Sequence, residues 1–458
     1  MRISIWPVIL ALGLAACSSS DRPPPRSGYY VENGVIRDGS GQVVYLRGIN
    51  VHESAKYHPD HIIPLDDGEV LLLIQNGINT VRLLTGWAAI MPSEDTIDYD
   101  YLDKYLAEVT KLTEAGLFVV LDMHQDVWGH PFGNGAPDWA CPEEIKAGYE
   151  PTSPWWANYF SEQVTGCFDQ FWSSTELQDK FALAWRQVAE LVCSNPSVVG
   201  FDLLNEPYPG SALGEMGFDQ DTLYPFYKRI MAEITEVCPD RIFFLEPSRA
   251  YDFGMADALV LDAADRNRVV MAPHYYPTDV HEPGSSYDGN FEALEQNLLE
   301  LYQIFDERRT PLWFGEYGGI TSNTNFDLYM EHITTIFFTR LWGSALWAFS
   351  ENDCGFSFLD SGGDRKDVFA RVCAIPVPVL LPSVPTNLAL DFDQPGISLK
   401  IECKEDLVFK LLLPGAGSWL FSAQPSGGIN DPEVDGHFLT ASCRSAATLT
   451  IEVQKKPE

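Results

Sequence analysis

The sequence predicts a (β/α)8 barrel followed by a small all-β sandwich. Three observations lead there. Apolar runs that end in polar or aromatic residues recur eight times, near Asn50, Arg82, Asp122, Asn205, Glu246, His274, Glu316 and Trp347. Segments with helical spacing separate them. Near Ile375 the composition turns to proline and then to short alternating stretches. Eight β-α alternations argue for a closed barrel. The competing open, doubly wound sheet wants a glycine-rich phosphate loop after a strand, and none is found.

Taken in order, residues 1–16 read as a secretory signal. Arg2 supplies the positive flank, and residues 3–14 form an apolar run too short to span a bilayer. Leu14-Ala15-Ala16-Cys17 then resembles a bacterial lipobox, with Cys17 as the lipidated first residue. An ordinary signal peptide cut nearby is the alternative. Residues 17–27, rich in proline and arginine, read as a tether. The expected location is an exported, membrane-anchored lipoprotein, at an outer membrane or cell surface, or else a secreted protein.

Residues 28–374 make the expected barrel. Its first core strand is expected over 43–49. Helical spacing shows in Tyr101, Leu102, Leu106, Val109 and Leu112, and in Phe181, Trp185, Val188 and Leu191. Further helices are expected over 223–237, 291–305 and 329–341. Residues 128–172 form a long insertion after the third strand, with eleven aromatic residues from Trp128 to Trp172. A loop of this length in a compact domain is usually functional. Either it is a cap packing its own aromatics or it walls an apolar part of a substrate.

Residues 375–458 read as the sandwich. Pro376, Pro378, Pro382 and Pro385 mark a linker, and strands are expected over 387–392, 397–403, 407–413, 418–422, 438–443 and 447–453.

The formal net charge of −35 makes nucleic acid an unlikely partner, because phosphate would be repelled. Eight cysteines besides Cys17 lack zinc-site spacing, and export permits disulfides. Proximity in sequence pairs Cys141 with Cys167, Cys193 with Cys238, Cys354 with Cys373, and Cys403 with Cys443.

The chemistry centres on two glutamates. Val198-Val199-Gly200-Phe201-Asp202-Leu203-Leu204-Asn205-Glu206-Pro207 and Pro311-Leu312-Trp313-Phe314-Gly315-Glu316-Tyr317 each run from a buried strand into a loop. Barrel enzymes place their chemistry at such C-terminal strand ends. Two carboxylates facing one cleft are the minimum apparatus for glycoside hydrolysis. Glu206 is the candidate acid/base, with its carboxyl expected to be raised by desolvation and a neighbouring carboxylate. Glu316 is the candidate nucleophile, kept ionised by Arg82 and a hydrogen bond from Tyr276. Asn205 can donate to a sugar 2-hydroxyl, and His274 can orient either acid. Trp347 offers an indole face to a pyranose ring, with a core role as the alternative. His124 and Asp126 can bind sugar hydroxyls, and Lys56 a hydroxyl or an acidic sugar. No metal or cofactor is called for.

Arg82, His124, Asn205-Glu206-Pro207, His274 with Tyr276, Glu316 and Trp347 match in order the pattern of glycoside hydrolase family 5. Within that family the chain resembles the endoglycoceramidases, through Asp122-Met123-His124-Gln125-Asp126 with Trp128 and the turn over 133–139, Pro273-His274-Tyr275-Tyr276-Pro277, and Ser350-Glu351-Asn352-Asp353. The resemblance covers about residues 28–455. It implies retaining hydrolysis of the β-glycosidic bond between an oligosaccharide and ceramide, on a glycosphingolipid substrate, with Lys56, Asp126 and Asn205 at the sugar next to the cleaved bond. A monomer is expected. The alternatives are another family member, either an endo-β-glucanase or a β-glucosidase for other lipid glycosides, and a non-catalytic glycan-binding surface lipoprotein.

Overall fold

The computed structural model describes residues 28–457 apart from 253, 352–354 and 416. The signal, the tether and Cys17 lie outside the described residues, as does Cys354. Eight parallel strands form the barrel: Arg47–Val51, Thr80–Thr85, Phe118–Met123, Val198–Asp202, Ile242–Leu245, Val269–Met271 continued by His274–Tyr275, Trp313–Tyr317 and Gly343–Leu346. The sixth is broken in the middle, and both halves meet the seventh, through Met271 with Leu312 and His274 with Glu316. The eighth pairs with the first, which closes the ring. The strands are almost wholly buried, because helices cover them outside and side chains fill them inside.

The helices follow their apolar spacing. Tyr99–Glu114 buries Tyr101, Leu102, Tyr105, Val109 and Leu112 against the strands, and the Asp98 carboxylate caps it by accepting from the Tyr101 N–H. Ser174 caps Thr175–Val192 and Asn290 caps Phe291–Glu307 in the same way. Tyr224–Val237 and Phe326–Arg340 complete the expected set. No helix among the described residues is long and apolar enough to cross a membrane.

The insertion folds into short helical pieces, stapled by Cys141–Cys167 across a Cα–Cα distance of 5.3 Å. Trp128, Tyr159, Phe168 and Phe171 pack inside it, whereas Trp155, Trp156 and Phe160 are exposed. Cys193–Cys238 and Cys403–Cys443 also form. Cys373 is buried and has no disulfide partner among the described residues.

The C-terminal strands lie where alternation put them. Gly396–Cys403 and Ala447–Lys455 pair over their length and bury Ile397, Leu399, Ile401, Leu449, Ile451 and Val453 on one face. Two expectations change. Val377–Leu381, read as linker because of its prolines, is a strand pairing with Val408–Leu412. Pro378 is accommodated because the register shifts beside it, so its missing N–H breaks no regular ladder. The run over 43–49 is also two strands. Val43–Val44 pairs with Val377–Leu381, and only Arg47–Val51 enters the barrel. With Tyr30–Glu32 and Val35–Arg37, the N-terminal strands therefore extend a sheet built mainly from the C-terminal region. The Gln42 side-chain amide seals that union by bonding both the N–H and the C=O of Val408.

Candidate active site

The barrel mouth is organised by Arg82 from the second strand, which is fully buried. Its guanidinium donates to Asp202 (2.8 Å), Asn50 (2.9 Å), Glu246 (2.9 Å), Asn205 (3.0 Å) and Glu316 (3.0 Å), and pairs with Asp122 at 2.9 Å. Burial raises the Asp202 and Glu246 carboxyls, against the lowering effect of Arg82. Asp122, Asp202 and Glu246 have the mutual spacing of a metal site, but Arg82 already supplies a cation to all three.

Glu316, at the end of the seventh strand, accepts from Arg82 on one oxygen and from the Tyr276 hydroxyl (2.8 Å) on the other. Gly315 beside it leaves room for His274, since a Cβ there would lie 3.0 Å from the imidazole Nε2.

Glu206 stands across the mouth. A Glu206 oxygen and a Glu316 oxygen lie within 4.8 Å of each other. That fits the roughly 5–5.5 Å carboxyl spacing of retaining glycosidases rather than the roughly 6.5–9.5 Å of inverting ones. Glu206 has a left-handed backbone, φ 44°, unusual for a residue with a Cβ. Its N–H donates to Glu246 Oε2 at 2.7 Å, which helps hold that conformation. One carboxylate oxygen meets His274 Nδ1 at 2.9 Å, and the other meets Arg249 at 3.5 Å.

The expected rise in the Glu206 carboxyl is not what the surroundings produce. Burial raises it, but Arg249 and His274 outweigh burial and bring it down to about 2. Burial lowers His274, yet Glu246, Glu316 and the bond to Glu206 drive it well above the usual imidazole range. Nδ1 and the carboxylate are therefore joined by one shared proton.

A second cluster adjoins the pair. Lys56 Nζ is 2.8 Å from Asp126, 3.9 Å from Glu53 and 4.7 Å from the centre of the Trp347 ring. His124 stacks on Trp347 at 5.4 Å and bonds Asp122 at 2.8 Å. Burial lowers His124, but Asp122 and Asp126 push it up to about 9, so it is a cation at neutral pH. Asp126 is held low: burial opposes the effect, but Lys56 and His124 overcome it. The loop carrying it closes through paired backbone bonds between Asp126 and Asn134. Gly133 is required there, because a Cβ would lie 2.0 Å from the Asp126 carbonyl oxygen. The Gln125 amide donates to the carbonyls of Asn205 and Glu206, and the Asn205 amide donates back to the Gln125 carbonyl.

The structure thus brings together Lys56, Arg82, His124, Asp126, Asn205, Glu206, His274, Tyr276, Glu316 and Trp347. Sequence reasoning missed Arg249, the pairing of Arg82 with Asp122, Asp202 and Glu246, and the bonds that Gln125 makes. Asp202 carried a signal, three residues before Asn205 on the same strand. Arg249 carried none beyond its place three residues after Glu246.

On this geometry the comparisons fall into line. Endoglycoceramidase I of Rhodococcus hoagii (strain 103S) is 34% identical over 261 residues, covering 52% of this chain and 51% of that protein. The endoglycoceramidase of Cyanea nozakii is 28% identical over 341 residues, covering 62% and 67%. The matched segment thus spans about half the length of the first relative. The solved structure of endo-glycoceramidase II from Rhodococcus sp. with ganglioside GM3 superposes with a TM-score of 0.79 at 25% identity, covering 92% of this chain and 99% of that one. The family model described as cellulase (glycosyl hydrolase family 5) matches residues 38–353, well over half of the chain, and the protein belongs to that family.

Proposed function

We propose that the chain is a retaining endo-glycosidase that cleaves the β-glycosidic bond between oligosaccharide and ceramide in glycosphingolipids. The observation that carries this is the facing pair, Glu206 and Glu316, with oxygens within 4.8 Å and opposite environments. Glu316, bonded by Arg82 and Tyr276, attacks the anomeric carbon. The proton shared by Glu206 and His274 passes to the glycosidic oxygen as its bond to carbon breaks, and ceramide departs with the bonding pair. Glu206 then takes a proton from water, whose oxygen attacks the glycosyl ester. The glycan leaves and Glu316 is restored.

Two surfaces adjoin the pair. Lys56, Asp126, His124 and Trp347 form a charged and aromatic wall for a sugar. Tyr208, two residues after Glu206, packs on Tyr159 (5.0 Å) and Phe160 (6.5 Å), on the same short helix as the exposed Trp155 and Trp156. We assign that aromatic run to the lipid. The endoglycoceramidase relatives and the GM3 complex of the similar structure support this reading. Cys17 is proposed as the lipidated residue that keeps the enzyme on a membrane, with residues 17–27 as tether.

Incubation with mixed gangliosides and mass analysis of products should give whole glycans plus ceramide. Stepwise loss of single sugars would refute the endo assignment. Glu206→Gln should cost about 10²–10⁴-fold in turnover, and Glu316→Gln should leave background only; near-normal rates in either would remove it from the reaction.

His274→Gln should move the alkaline limb of the pH–rate profile to lower pH. In the unaltered protein the proton is lost only above the raised His274 value. Without the imidazole, a carboxyl alone must hold it. A limb that stays in place would show that the proton is stored elsewhere.

Each methylene buried in an apolar groove contributes about 0.8 kcal/mol. Ceramide-linked glycans should therefore turn over faster at low concentration than short-alkyl glycosides of the same sugar. Equal kcat/KM would leave the aromatic run without a role in binding lipid. Finally, Cys17→Ser should release the protein from the membrane fraction of expressing cells, and unchanged partitioning would count against lipidation.

A further inference from the structure

We infer that Arg249 is a positioning residue: it holds the Glu206 carboxylate and stabilises the negative charge left on it once the proton shared with His274 passes to the leaving oxygen. The inference rests on the proposed two-glutamate reaction and adds a residue to it. Arg249 opens the short helix Arg249–Asp252 after the fifth strand, and its side chain is 25% exposed. Two links join it to the acid. Its guanidinium Nε lies 3.5 Å from Glu206 Oε2, and its backbone N–H donates to the carbonyl of Pro207, the next residue, at 3.0 Å. The preceding residue is pinned as well, since the Ser248 N–H donates to Asp219 at 2.9 Å. The ion pair therefore sits on a fixed backbone, unlike a surface pair between mobile side chains, which contributes little.

The two Glu206 oxygens are held by different kinds of cation. Oε1 meets His274, which titrates, and Oε2 meets Arg249, which does not. The other charged groups near Glu206 are acidic: Glu246 from the fifth strand, Glu316 from the seventh and Asp126 from the third loop, with the Tyr159 hydroxyl on the insertion. The nearby carboxylates disfavour a further negative charge, Asp126 among them raising the Glu206 carboxyl, whereas the Tyr159 hydroxyl is neutral. Arg249 is the permanent positive charge that opposes them, and it is the largest single influence lowering the Glu206 carboxyl.

A ceramide leaves as an alkoxide, a poor leaving group that needs its proton in the transition state. A dinitrophenolate needs almost none. Stabilising the carboxylate makes the Glu206–His274 pair a stronger acid, so Arg249 matters for the first substrate and hardly for the second.

The test uses purified full-length protein, lactosylceramide and 2,4-dinitrophenyl β-lactoside, with Arg249→Met and Arg249→Lys. For Arg249→Met we expect kcat/KM on lactosylceramide to fall about 10–100-fold, with less than about a threefold change on the dinitrophenyl substrate. Its alkaline limb should move to higher pH, because the proton is held more tightly once the cation is gone. Arg249→Lys should restore most of the loss. Equal losses on both substrates with an unmoved limb would overturn the inference and leave Arg249 a purely structural residue. If the unaltered protein releases no lactose from lactosylceramide, the underlying reaction falls, and that outcome is read before any variant is compared.

Discussion

One buried guanidinium holds the mouth of the barrel together. Arg82 reaches groups from the first, third, fourth, fifth and seventh strands, through Asn50, Asp122, Asp202 with Asn205, Glu246 and Glu316. Only a planar fork with five donors satisfies partners in so many directions at once; an ammonium would leave several acceptors unpaired in a site that water does not reach. Removing one partner from a buried pair typically costs about 3–5 kcal/mol, because the charge left behind is uncompensated. The catalytic geometry and the closure of the barrel therefore share one constraint. The bond that fixes Glu316 belongs to the network that spaces the strands.

From that constraint the difference between the glutamates follows. Glu316 is tied to the inner network by the bonds it accepts from Arg82 and Tyr276. Glu206 lies one shell outward, with its side chain 13% exposed against 7% for Glu316, and its partners are the titratable His274 and the loop-borne Arg249. His274 is the hinge between them. Its Nδ1 is 2.9 Å from Glu206 and 3.5 Å from Glu316, and its Nε2 is 3.2 Å from Glu246. A single imidazole among three carboxylates carries the proton that one of them must deliver. This explains how a carboxyl brought down to about 2 still belongs to a proton-donating unit.

The barrel was legible because its strands are buried on both faces and so read as apolar runs, each with a polar residue where the chain leaves the sheet. Glu206, Glu316, Arg82 and His274 were visible for that reason, and the helices were visible from spacing such as Tyr101, Tyr105, Val109 and Leu112. What failed to show had physical causes. Val377–Leu381 was hidden by prolines that a register shift makes tolerable. The N-terminal strands gave no hint that they would pair with Val377–Leu381, because nothing local encodes a pairing across more than three hundred residues. The direction of the Glu206 shift depended on Arg249, which lies forty-three positions away in sequence and touches it only after folding. Local pattern reports which side chains face the cleft. It does not report which charges they meet there.

The insertion shows how one segment serves two ends. Its inner aromatics pack as a small core, with Trp128 on Phe168 at 5.1 Å and on Phe171 at 5.6 Å, and the Cys141–Cys167 disulfide ties two parts of the insertion together. Tyr159 belongs to this core and also reaches Gln125, whose amide donates to the carbonyl of Glu206. The exposed Trp155, Trp156 and Phe160 stand on the same short helix as Tyr159. The packing reading and the substrate reading are therefore not alternatives. A rigid core makes an exposed aromatic surface useful beside a catalytic pair, because side chains already ordered lose little further entropy when an apolar ligand covers them. The glutamates are thus joined, through Gln125 and Tyr159, to an ordered aromatic surface, and lie near the charged Lys56–Asp126 pair. On the proposed function, an acyl chain covering that surface loses little further entropy of the protein, so the insertion's packed core is what makes its exposed face able to bind.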